Sequence, residues 1–175
     1  MKSTRFVFGR ALAVLCALLF VSFGFMSCQQ EDDDTGLPNG VYELSDNSAL
    51  IGTWQSSYGE IFKITSASLS NGGSWGDAYA GNNLVVSYTN DEATSGYIYI
   101  KYTRAMNPDY SYSETAPDVG KWYAIAFKEL TASSVSLSGA YNASGKTSAE
   151  TLEEAISTFT IAKGYFSTYS ECVKQ

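Results

Sequence analysis

Gly96-Tyr97-Ile98-Tyr99-Ile100-Lys101-Tyr102-Thr103-Arg104 alternates with a period of two. Ile98, Ile100 and Tyr102 fall on one side of an extended chain, and Tyr97, Tyr99 and Lys101 on the other. That spacing is the pattern of a strand in a sheet wet on one face. Lys121–Leu130 repeats it, with Tyr123, Ile125 and Phe127 opposite Trp122, Ala124, Ala126 and Lys128. Ser134–Tyr141 sets Val135, Leu137 and Tyr141 on one side.

Further strands read outward from these. Leu50–Trp54, Glu60–Thr65, Ser68–Ser70 and Leu84–Tyr88 are short runs rich in β-branched and aromatic residues, separated by Gly, Asn and Ser. Glu60–Ser70 reads as a hairpin turning at Ser66-Ala67, and Phe127–Ser134 echoes its Thr-Ala-Ser chemistry, as two hairpins of one barrel would. Tyr165-Phe166 reads as the start of a last strand or of an extended tail.

One helix interrupts this texture, over about residues 148–160. Thr147-Ser148-Ala149-Glu150 forms a capping box, and Leu152, Ala155, Ile156 and Phe159 make an apolar stripe. Antiparallel strands in sequence with one late helix predict a mainly β fold, an antiparallel up-and-down β-barrel, over residues 48–175.

Residues 1–47 belong to something else. Lys2, Arg5 and Arg10 precede the apolar run Ala11–Met26, the layout of a secretory signal peptide over residues 1–27. Ser27 is small enough for a peptidase pocket, and Cys28 would then open the mature chain and offer its thiol to a lipid. Residues 28–47, with Glu31-Asp32-Asp33-Asp34 and then Pro and Gly, read as an acidic flexible tether. An uncleaved membrane anchor and a plain secretion signal are the alternatives.

The Phe25-Met26-Ser27-Cys28 box resembles a lipoprotein lipobox, in the relaxed form of spirochaetal lipoproteins, with Phe25 where Leu is commonest. The resemblance implies acylation of Cys28, palmitate included, and lodging in the cell envelope, most naturally at the outer membrane. Several acyl chains hold a protein firmly where one holds it reversibly. Gly52-Thr53-Trp54 looks like the Gly-x-Trp opening of calycins, the lipocalin-like barrels. Gly120-Lys121-Trp122-Tyr123-Ala124 is similar to a strand of small spirochaetal lipoproteins. What this implies is a barrel plugged at one end by Trp54, with an ordinary core aromatic as the alternative reading of that residue.

Composition excludes several function classes. Removing residues 1–27 takes three of the 11 basic residues and none of the 18 acidic ones, leaving a mature net charge near −10. Nucleic acid and anionic headgroups both want the opposite sign. The chain has no histidine, which removes Ser-His-Asp and Cys-His catalysis and the commonest zinc sites. Asp32-Asp33-Asp34 lacks the spacing of a calcium loop. No metal, cofactor or enzymatic activity is expected.

Ala140–Thr147 fits a relaxed phosphate-loop pattern, but Ala140 replaces its first Gly and the fold is antiparallel, so a turn and a helix cap account for it. Glu60 is the one acid placed for carboxylate chemistry, although a strand Glu reads more simply as a wet-face residue. Cys172, without an intrachain partner once Cys16 and Cys28 are accounted for, reads as a half-buried or frayed structural residue near the chain end, with a bond to another protein as the alternative.

Two segments read as long loops, 71–83 and 105–120, both mixing Gly or Pro with aromatics. Rings on loops give contact area at little entropic cost. Trp75, Tyr79, Tyr110 and Tyr112, with Arg104 as an anion partner, are the candidate ligand-binding residues. The expectation is a non-enzymatic binding module for a small apolar or amphipathic molecule. The alternative is a surface-interaction or structural lipoprotein with a protein partner. A barrel interior filled by Ile98, Ile100, Tyr102, Ile125 and Phe127 would leave a lumenal ligand no room.

Overall fold

The computed structural model describes residues 36–175. The expected signal peptide, Cys28 and the first part of the expected tether lie outside them.

Eight strands close into an antiparallel barrel: β2 (Gly52–Ser56), β3 (Glu60–Ile64), β4 (Ser68–Gly73), β5 (Gly76–Tyr88), β6 (Gly96–Met106), β8 (Trp122–Lys128), β9 (Ser134–Gly139) and β10 (Ser170–Lys174). Each pairs with the next in that order, and β10 returns to β2. Two short strands extend it, β1 (Tyr42–Glu43) on β5 and β7 (Tyr112–Ser113) on β6. The fold is the up-and-down barrel that the alternating runs predict, closed without a free edge in the ring.

The alternation puts the expected side chains together. Trp54 pairs with Phe62, Ile64 with Leu69, Ile98 with Ile125, Ile100 with Tyr123 and Phe127 with Leu137. Cross-strand partners share a face, and these side chains are buried. Together they fill the barrel. Gly81 belongs to the same layer: a Cβ there would lie 2.8 Å from Ile100 Cβ, so the isoleucine packs onto bare backbone.

The two echoing hairpins use one turn. Thr65 Oγ1 accepts from Ser68 N at 3.0 Å and meets its hydroxyl at 2.8 Å. Thr131 Oγ1 accepts from Ser134 N at 2.9 Å and meets its hydroxyl at 2.8 Å.

Several sequence expectations are corrected. Segment 71–83 is no loop but the end of β4, a two-residue turn and the start of β5. Gly72, Gly73 and Gly81 serve close packing, which in sequence resembles turn chemistry, while Gly76 takes the left-handed φ of 114° beside the turn. The helix, α1, spans Leu152–Thr158 with Thr151 as N-cap. The box that forms is Thr151-Leu152-Glu153-Glu154: Glu154 N donates to Thr151 Oγ1 at 3.2 Å, and Glu150 N donates to Glu154 Oε2 at 2.8 Å. Thr147 is drawn away by Asp118, to which its hydroxyl donates at 2.7 Å, and Ala149 is held extended by a bridge to Trp122. The last strand starts at Ser170, not at Tyr165.

The outer face of β6 and β8 is not wet. Tyr99, Ala124 and Ala126 are buried, because α1 packs on β8 and Phe166 lies 5.5 Å from the Tyr97 ring. The small alanines leave space for that cover. Residues 41–47, assigned from sequence to the tether, also join the body: β1 pairs with β5, and Val41 and Leu44 are buried.

Candidate functional site

Chain direction sorts the loops into two groups. Turns 65–67, 89–95 and 129–133 close one end; turns 57–59 and 74–75, loop 107–121 and segment 140–169 surround the other, here called the mouth.

At the closed end the barrel is plugged. Trp54 has no exposed surface, its Nε1 donates to Leu50 O at 2.7 Å, and Lys174 Nζ lies 5.0 Å from its ring centroid. No aromatic occurs in the three turns at that end.

The mouth has a polar floor. Glu60, Asn71, Tyr79, Tyr102, Tyr123, Ser170 and Cys172 share the inner face there, by register with the core residues. Glu60 is therefore not the wet-face residue that a lone strand glutamate suggests. Asn71 Nδ2 donates to Glu60 Oε1 at 2.9 Å, and the Ser170 hydroxyl donates to Oε2. Three phenol rings pack beside it: Tyr102 stacks on Tyr123 at 4.8 Å, and Tyr79 meets Tyr123 edge-on at 5.2 Å. Tyr123 OH donates to Ala140 O at 3.1 Å.

This packing shifts the titration of the floor. Burial, then the Tyr123 and Glu60 charges, pushes the Tyr79 phenol well above its ordinary value. Burial raises Tyr102 and Tyr123 in the same direction. Burial, helped by Glu60, pushes the Cys172 thiol up to about 11. Such a thiol is protonated and inert at neutral pH. Cys172 is thus a core residue of β10, opposite Ser56 and Val135, rather than part of a frayed end.

Above the floor, every loop of the mouth carries an exposed ring: Tyr58 in the first turn, Trp75 in the second, Tyr110 and Tyr112 in the long loop, and Tyr141 just past β9. Tyr141 leaves the face of Val135 and Leu137 because β9 stops at Gly139. Tyr110 is fixed in the left-handed region at φ 66°, in a turn braced by Asn107 N donating to Ser111 O at 2.8 Å. Asp109 supports the same turn, and its bonds from Ser111 hold its carboxyl below the usual range.

Of the five residues singled out from sequence, all lie at this end. Tyr79 belongs to the floor and is partly buried, Trp75 and Tyr110 are open to solvent, and Tyr112 is less exposed than either. Arg104 is not free for an anion, since it pairs with Glu114 at 3.4 Å. Sequence reasoning missed Tyr58 and Tyr141, isolated tyrosines that only the barrel gathers at one mouth. Glu60 was legible as a strand acid, but its direction was not.

Among the described residues no cluster of His, Cys, Asp and Glu could hold a metal ion, and no helix is long and apolar enough to cross a membrane. The phosphate-loop pattern serves as a turn, with Gly145 N donating to Asn142 O at 2.9 Å and Lys146 paired with Glu154. Comparison of the chain with family models, curated proteins and solved structures gives no match.

Proposed function

We propose that this protein is a lipid-anchored envelope lipoprotein whose calycin-like barrel is a non-enzymatic binding module. Its ligand sits on the aromatic mouth and not in a hollow lumen. The observation that carries this reading is the contrast of the two ends: exposed rings on all four loops of one, none in the turns of the other.

The filled interior argues against a lumenal ligand. Ile98, Ile100 and Ile125 have no exposed surface, and Tyr102 and Tyr123 stack over them. Stiff amphipathic rings, with few torsions to fix, give contact area without much ordering cost. The absence of histidine and the engagement of Glu60 by two neutral donors support binding over catalysis. The anchor rests on the Phe25–Cys28 box and the apolar leader before it.

Native mass spectrometry of the full chain extracted from producing cells tests the mouth. A co-purified small molecule present in the wild type and absent from a Tyr58→Ser, Tyr110→Ser, Tyr112→Ser triple variant is the expected result. Retention by the triple variant places the ligand elsewhere and overturns the reading, whereas a bare protein mass favours a protein partner. The anchor is tested separately: Cys28→Ala should abolish incorporation of labelled palmitate and release the protein from the membrane fraction.

A further inference from the structure

Glu60 is an inward-facing carboxylate without a cation. Both its oxygens accept from neutral donors, Asn71 and Ser170, and it takes part in no ion pair among the described residues. The basic side chains of the mouth are engaged elsewhere. Arg104 pairs with Glu114, Lys121 with Asp118 and Glu150, Lys146 with Glu154, and Lys163 donates to Ser157 O. A partly buried carboxylate stabilised only by neutral dipoles keeps an uncompensated negative charge, which folded proteins ordinarily pair.

The β4–β5 turn brings a ring over the ladder partner of Glu60. Glu60 pairs with Gly73 across the β3–β4 ladder, so a side chain at position 73 would share the face of Glu60. Glycine leaves the place empty and the Trp75 indole takes it: its benzo carbons lie 2.6–2.7 Å from where a Gly73 Cβ would stand. Trp75 remains 61% exposed. An open indole over the ladder partner of an unpaired inward-facing carboxylate is a combination that suits an organic cation, since the ring quadrupole and the charge attract it together.

We propose that the mouth takes a small organic ammonium ion, seated between the Glu60 carboxylate and the Trp75 ring. This rests on the reading of the mouth as the binding end and adds the chemistry of its ligand. An anionic group on the ligand would find no unengaged basic side chain to meet it there, so the ligand is a simple amine or quaternary ammonium compound rather than a zwitterion or a phosphate ester.

Isothermal titration of the detergent-solubilised full chain with choline, and with its neutral isostere 3,3-dimethyl-1-butanol, tests the proposal. Choline should bind saturably, and at least about tenfold more tightly than the isostere. Glu60→Gln should cost choline about tenfold while leaving the isostere unchanged, and Trp75→Ala should cost about two- to fivefold. Glutamine keeps an acceptor for Asn71 and can donate to the Ser170 hydroxyl, so the melting temperature should hold. Should it fall, the salt dependence of wild-type binding decides: choline affinity must weaken with ionic strength and that of the isostere must not. Equal affinities, undiminished choline binding by Glu60→Gln, or no saturable choline binding overturns the proposal. A neutral molecule co-purifying with the wild type and lost in the triple variant would overturn it while leaving the mouth reading intact.

Discussion

The two ends of the barrel are built from the same eight strands and differ in what the strands leave uncovered. At the closed end Trp54, Phe127 and Leu137 are buried, and the turns above them are small and polar. At the mouth the inner face turns polar, with Glu60, Asn71 and Ser170, and the rings move to the loops. The difference separates two tasks. Apolar surface buried inside stabilises the fold, whereas apolar surface held on braced loops costs stability little and remains open for contact.

The largest expected effect breaks the closed end. Trp54→Ala removes a fully buried ring and its bond to Leu50 O, and should destabilise by about 3–5 kcal/mol, read as a drop in urea midpoint. A loss below about 1 kcal/mol would mean that Trp54 does not close the barrel.

Alkaline pH should act at the mouth. Tyr79, Tyr102, Tyr123 and Cys172 all have raised values in the folded protein. The unfolded chain therefore loses these protons first. Their contribution to stability is complete below the ordinary values, 9.0 for the thiol and 10.0 for the phenols. The thiol's share is lost as pH rises through its raised value of about 11, and the phenols' share is lost as pH rises above 10.0 towards their raised values. Urea unfolding at stepped pH should show this decline, with the floor's tyrosinate absorbance, taken as the difference between the wild type and a Tyr79→Phe, Tyr102→Phe variant, appearing together with unfolding. A difference signal that appears while the protein is still fully folded would instead show the floor to be wet.

The turns of the closed end should respond alike. Thr65→Ala and Thr131→Ala each remove the same side-chain acceptor and should each cost about 1 kcal/mol, agreeing within about 0.5 kcal/mol. Unequal losses would show that one hairpin depends on its turn more than the other. Smallest of all, Tyr110→Ser at the mouth should change stability by less than about 0.5 kcal/mol, since its ring is 80% exposed. A larger loss would give this ring a structural role and blur the division between the ends.

Much of the barrel was legible because a half-buried strand writes its direction into a period of two. Ile98, Ile100 and Tyr102 in β6 and Tyr123, Ile125 and Phe127 in β8 face the core as their spacing requires. Legibility fails where a residue has two physical uses. Gly72, Gly73 and Gly81 read as loop signals, yet they sit in strands where another group packs closely. Two capping boxes overlap in Thr147–Glu154, and contacts from Asp118 and Trp122, distant in sequence, select the second. The alternation of β6 and β8 likewise cannot tell an outer face in water from one covered by residues 140–169.

What the sequence determined by itself is local: strand periodicity, the hairpin turns, the late helix, the negative charge and the lack of histidine. Only the tertiary structure decided that Glu60 points inward, that Trp75 fills the place beside it, and that tyrosines from separate loops share one mouth. The physical reason is that strand periodicity fixes which residues share a face, whereas closure and register of the sheet fix what that face meets.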